Sequence, residues 1–111
     1  MESPPERPRP IYSSLADDPA QQDLIDAFVV ALAERVDELQ DCEARCEFER
    51  LRTRAEALLS DARKAGYDVL VRCAESVGEA ARGRHSREAR KALIELTEVS
   101  QRVRLGHRGA A

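Results

Sequence analysis

Residues 51–82 read LRTRAEALLSDARKAGYDVLVRCAESVGEAAR, and their periodicity decides the fold. Apolar side chains recur at Phe48, Leu51, Ala55, Leu58, Ala62 and Ala65. At about 100° per residue, that spacing draws one buried stripe along an amphipathic helix running from about Glu47 to Ala65. Gly66 closes it as a natural C-terminal cap. A second helix follows from about Asp68 to Arg82, with Leu70, Ala74, Val77 and Ala81 on its inward side and Gly83 after it. Glu56 points roughly 130° away from the stripe, into solvent, near the middle of its helix.

Outward from this hairpin, Asp18, Pro19 and Gln21 form a helix start. Asp18 can cap, proline is pre-set for the first helical position, and Gln21 can reach back as a capping-box partner. From Pro19 to about Arg45 the stripe is Ile25, Phe28, Leu32, Val36 and Leu39. On the other side, Ser86 is the expected N-cap of a last helix with Glu88 in its first turn and Ala89, Leu93, Leu96, Val99 and Val103 buried. Four amphipathic helices with short links make an all-α, up-down antiparallel four-helix bundle the expected architecture. Residues 1–13, MESPPERPRPIYS, hold four of the chain's five prolines and are expected as a disordered arm, with Ile11 and Tyr12 tacking its end onto the bundle. The bundle should then occupy 14–105, and 106–111 a frayed tail.

Composition agrees with this class. The 111 residues suffice for one domain, and 35% charged against 4% aromatic residues with no tryptophan suits a bundle built from Leu, Val and Ala better than a β-sandwich. A net charge of −3 favours neither nucleic acid nor an anionic membrane as partner. The charge is split: Leu15 to Glu49 carries eleven Asp/Glu against two Arg, whereas Arg82 to Arg108 carries eight Arg/Lys against three Glu. Opposite charges on neighbouring helices can fix antiparallel register; the other reading is a basic docking face around Arg82, Arg84, Arg87, Arg90 and Lys91. Three cysteines, an odd number, without an apolar leader before them, are expected as free thiols in a reducing cytoplasm. No apolar run approaches the length that crosses a bilayer.

Read without gaps, the hairpin resembles the central hairpin of histidine-containing phosphotransfer (Hpt) domains, through Phe48, Leu51, Ala55, Leu58, Ala62, Gly66, Tyr67, Leu70, Ala74 and Val77. Pro10 to Gln40 is similar to the family's opening helix and Glu88 to Arg104 to its closing helix. The resemblance also implies a turn near Ala44–Cys46, where the family often has glycine; with cysteine there, a straight continuous helix is the other option. In the family a surface histidine occupies the position of Glu56, with lysine and glycine at the positions of Leu59 and Ser60. Here all three are replaced, and Asp61, Arg63 and Lys64 stand where the family has small residues.

A neutral imidazole is nucleophilic near pH 7 and passes its phosphoryl group on; a carboxylate is a weaker nucleophile and needs a metal and an acidic pocket to form an acyl phosphate. The resemblance therefore implies a domain without phosphotransfer, with no catalytic residue, metal or cofactor. It would dock a response-regulator receiver or a histidine kinase through Arg52, Glu56, Leu59, Ser60 and Arg63. Glu56 has two readings: an i,i+4 ion pair with Arg52, or a fixed negative charge standing in for phosphohistidine. His85, in a link, and His107, in the tail, are expected as exposed residues rather than substitute phosphoacceptors. Cys42 and Cys46, four apart, could ligate a metal only if two more ligands converged; with Cys73 they read as small helix residues. Outside signalling, the remaining reading is a helical scaffold or self-association module, so that a homodimer stands beside the expected monomer. No Gly-rich phosphate loop, paired buried carboxylates or nucleophile–base pattern points to another enzyme.

Overall fold

A computed structural model describes residues 8–109. It is an all-α, up-down four-helix bundle. A 3₁₀ turn, Pro19–Gln21, leads into α1 (Gln22–Ala44), followed by α2 (Phe48–Lys64), α3 (Asp68–Arg82) and α4 (Ser86–Gly109). Each helix packs on its two neighbours in a ring, α1 against α2 and α4, and α3 against α2 and α4. The antiparallel register of α1 and α4 is visible in three cross-links, Glu43–Arg90, Gln40–Thr97 and Asp26–His107, in which one number rises as the other falls. The apolar stripes meet in one core whose fully buried members include Leu32, Leu39, Leu51, Leu58, Leu70, Val77, Leu96 and Val103. Every stripe residue expected for α1, α3 and α4 is buried, whereas Phe48, at the mouth of α2, is only half-buried.

All three corners have one geometry. At each, the residue after the C-cap has positive φ: Cys46 at 57°, Gly66 at 81° and Arg84 at 55°. The amide after it reaches back five residues, from Glu47 to the Cys42 carbonyl, from Tyr67 to that of Ala62 and from His85 to that of Ala80. This is the Schellman closure, which satisfies the carbonyls a helix end leaves open. It breaks the chain at Arg45–Glu47 and so excludes a continuous helix through residues 20–65. Gly83 follows α3 directly, as expected, and lies in the right-handed region as its C-cap; the left-handed position falls to Arg84. One expectation shifts, at the start of α4. The first carbonyl of α4 is that of His85, which accepts from Ala89 N, so His85 rather than Ser86 holds the cap place.

At the start of the chain Asp18 caps as expected, its Oδ1 accepting from Ala20 N at 3.0 Å. The glutamine that reaches back is Gln22, not Gln21, donating to the Ala16 carbonyl at 2.7 Å. Larger corrections concern the ends. Residues 9–13, expected in a disordered arm touching the bundle only through Ile11 and Tyr12, form a strap across the lower end of the bundle, where α2 meets α3, and Ile11 is tacked down as expected; residues 1–7 lie outside the described part. Ile11 N donates to the Arg102 carbonyl at 3.0 Å, and Arg102 Nε donates to the Arg9 carbonyl at 2.9 Å. Ser13 is buried and donates through Oγ to the Ala65 carbonyl at 2.6 Å, and Ser14 N donates to the Gly66 carbonyl at 2.9 Å. The strap crosses two glycines. A Cβ on Gly66 would lie 2.6 Å from Ser13 Oγ, and one on Gly106 would fall inside contact distance of the Ile11 carbonyl oxygen. Gly106 to Gly109 are correspondingly helical rather than frayed; residues 110 and 111 lie outside the described part.

Acidic α1 is bridged on both sides. Glu38 pairs with Arg54 of α2, Arg35 with Asp61 of α2 at 2.8 Å, and Glu43 with Arg90 of α4 at 3.3 Å. Of these pairs only Glu43–Arg90 joins the acidic segment to the basic last helix; in Arg35–Asp61 the basic partner lies on α1.

Candidate functional site

The outward face of α2 collects the residues singled out around position 56. Arg52, Glu56, Leu59, Ser60 and Arg63 are four, seven, eight and eleven residues on from the first, which places all five within roughly 100° of helix surface. The helix brings them together as its period requires. Ser60, Arg63 and Glu56 are exposed, and Arg52 and Leu59 are half-buried. Leu59 packs against the core, so it offers a partner less free apolar surface than its sequence position suggests. Asp61 turns to α1 and Arg35, away from the face.

Glu56 does not stand alone. Its Oε1 lies 3.5 Å from Arg52 Nη1, the i,i+4 pair expected, and 3.9 Å from Arg82 Nη2 at the end of α3. Arg52 also reaches Glu49 through Nη2 at 3.2 Å. With the Glu56 side chain 53% and that of Arg82 72% exposed, each contact contributes at most about 1 kcal/mol. Two guanidiniums approach one carboxylate oxygen, and that of Arg52 is shared with Glu49. Arg82 is the residue the sequence misplaces: it reads as part of a basic patch, while the hairpin swings it toward α2. Of the other patch members, Arg90 is committed to Glu43; Arg84 and Arg87 are exposed near the α3–α4 corner. An i,i+4 rule finds Arg52 but carries no information about a residue 26 positions away.

The histidines differ from each other. His85 is exposed at the α3–α4 corner. His107, expected in a tail, sits in α4 with its side chain 30% exposed and Nε2 2.8 Å from Asp26 Oδ1. Neither lies on the α2 face.

The cysteines form no site. Cys42 is buried in α1 and Cys46 is exposed beyond its end in the left-handed corner, so the two thiols, four apart in sequence, do not share a helix. Burial, followed by the charge of Glu95, pushes the Cys73 thiol up despite the opposing Arg72, which keeps it protonated and a poor nucleophile or ligand. Among the described residues no three His, Cys, Asp or Glu side chains cluster so as to hold a metal ion. No described helix is long and apolar enough to cross a membrane.

Comparison of the chain with protein-family models, with curated proteins and with solved structures yields no match.

Proposed function

We propose that this chain is a non-catalytic docking module of the histidine-containing phosphotransfer type. Acting in the cytoplasm, it would engage a response-regulator receiver domain or a histidine kinase through the outward face of α2 without passing phosphate. Position 56 carries the reading. It is an exposed, mid-helix position on one face with Arg52, Leu59, Ser60 and Arg63, and it holds a carboxylate between two guanidiniums instead of an imidazole. Such a carboxylate is a poor phosphoryl acceptor. Nor does it copy a phosphoryl group, because its single charge is already shared with Arg52 and Arg82. The face therefore suits shape and hydrogen-bond recognition by a partner rather than electrostatic imitation of the phosphorylated state.

The test is capture from a lysate of the source cell, comparing the wild type with a Glu56→Arg, Leu59→Asp variant. Receiver or kinase proteins held by the wild type and lost by the variant support the reading; their absence from both removes it. Acid-labile phosphate on His85 or His107 after incubation with a phosphodonor would replace it with true phosphotransfer.

One observation favours a second reading. Val30 and Ile94 are 78% and 65% exposed on the outward faces of α1 and α4, and large apolar side chains so placed suit self-association. A dimer in sedimentation that Val30→Asp or Ile94→Asp abolishes would support it.

A further inference from the structure

Between the strap and the lower end of the bundle lies a cleft of about 360 Å³ with Tyr12, Gln22, Ile25, Asp26, Tyr67 and His107 in its wall. Four parts of the chain, far apart in sequence, contribute to it: the strap, the first turns of α1, the α2–α3 corner and the last turns of α4. Its size is at the lower end of the range for small-molecule sites.

The chemistry of the wall is specific. Tyr67 is 3% exposed, and its ring stacks on Phe28 at a centroid distance of 5.8 Å, so it is a fixed surface. Burial, and then the charge of Asp26, push its phenol up, which leaves it uncharged with its O–H as a donor. Ile25 supplies an apolar floor, and Tyr12, 60% exposed, is carried on the strap. Asp26 Oδ1 is taken by His107 at 2.8 Å. Its Oδ2 has no hydrogen-bond partner among the described residues, and the side chain is 57% exposed. Asp17, Asp18 and Asp23 flank the lining residues in the chain, and Arg9 of the strap and Arg102 of α4 stand at the same end of the bundle. An anion would meet the Asp26 carboxylate in the wall unfavourably. A cation would find in the wall a carboxylate oxygen with no hydrogen bond among the described residues, an exposed tyrosine and an apolar floor.

From this arrangement we propose that the cleft binds a small organic ammonium, a primary amine on an apolar or aromatic body. The ammonium sits on Asp26 Oδ2, and the body lies between Tyr12 and Ile25. His107 orients the carboxylate from the other oxygen. This site is separate from the α2 face and does not depend on the function proposed for it.

The chain supplies its own reporter. Tyr12 and Tyr67 are its two tyrosines and it has no tryptophan, so intrinsic fluorescence reads the cleft alone. The full chain is titrated with phenethylamine, with phenethyl alcohol and phenylacetate as uncharged and anionic counterparts of the same shape. The expected result is a saturable change half-complete at about 1 mM amine, the scale of a fragment-sized ligand. Asp26→Asn keeps an oxygen for His107 while removing the charge, and should weaken binding about tenfold. Tyr12→Ala, at an exposed position, should weaken it by about two- to fivefold, read by amide chemical shifts of cleft residues. Phenethyl alcohol should bind at least as weakly as the amine binds Asp26→Asn, and phenylacetate should not bind. A non-saturating response to the amine, an equal response to phenylacetate, or unchanged amine binding by folded Asp26→Asn would each overturn the proposal. Should Asp26→Asn fail to fold, the comparison of the three ligands on the wild type decides alone.

Discussion

Gly106 offers a test in which the sign of a mutation depends on a distant segment. In isolation, alanine is the better helix former, and Gly106→Ala in α4 should stabilise by about 0.5–1 kcal/mol. The strap reverses this. A Cβ at Gly106 would fall against the Ile11 carbonyl oxygen and lie 3.0 Å from the Ile11 carbonyl carbon, and these are backbone atoms that cannot rotate away. To admit the methyl group the strap must lift. The bonds Ile11 N to Arg102 O and Arg102 Nε to Arg9 O are then lost, at about 0.5–1.5 kcal/mol each. Ile11, half-buried against the core, loses part of its burial, about another 1 kcal/mol. The loss of about 2–4 kcal/mol exceeds the helix gain, so the full chain should be destabilised by about 1–3 kcal/mol, a fall in Tm of about 5–15 °C. In a chain lacking residues 1–11 the same substitution should raise stability by about 0.5–1 kcal/mol. Urea unfolding followed by circular dichroism on the four proteins of this cycle measures both values. An effect of the same sign and size in the two backgrounds would refute the strap's seat on Gly106.

The corners and the remaining thiols yield further expectations. Cys46→Gly and Arg84→Gly, at φ of 57° and 55°, should each stabilise by about 0.5–1 kcal/mol by relieving the left-handed strain. Gly66→Ala should destabilise by about 2 kcal/mol or more, since it adds both that strain and a methyl group 2.6 Å from Ser13 Oγ. Gly78→Ala should stabilise by about 1 kcal/mol in thermal or urea unfolding, because its Cβ would meet nothing nearer than Ala55 Cβ at 4.0 Å. Alkylation read by mass spectrometry should modify exposed Cys46 first. Cys73, with its thiol pushed up by burial, should react only as the pH rises above the range in which an ordinary cysteine does.

Individual residues show where sequence reasoning reaches. Leu51, Leu58, Leu70 and Leu96 are legible as core because a helix repeats every 3.6 residues and each stripe has only one way to bury itself. Asp18 is legible as a cap, and so is the i,i+4 pair of Arg52 with Glu56, because both are contacts within one turn. Cys46 and Arg84 escape, since neither residue type announces a left-handed conformation, and the corner imposes it through three backbone bonds that any residue can make. Gly106 misleads: it reads as a helix breaker at a fraying end, whereas its lack of a side chain serves a crossing segment over 90 residues upstream. His107 escapes with it, because nothing near it in the chain specifies Asp26.

The amino-acid sequence by itself determines the four amphipathic stripes, the burial of their leucines, the start of the first helix and the set of side chains that share the outward face of α2. All of these depend on separations of a few residues, where covalent geometry and helical period are sufficient. Tertiary structure decides that Arg82 joins Arg52 on Glu56, that Glu43 meets Arg90 and that the strap is seated on Gly66 and Gly106. It also decides that Tyr12, Asp26, Tyr67 and His107 line one cleft. Those juxtapositions depend on how rigid helices stack and on where each corner aims the next one, and such information is held by the packed core as a whole rather than by any local stretch of the chain.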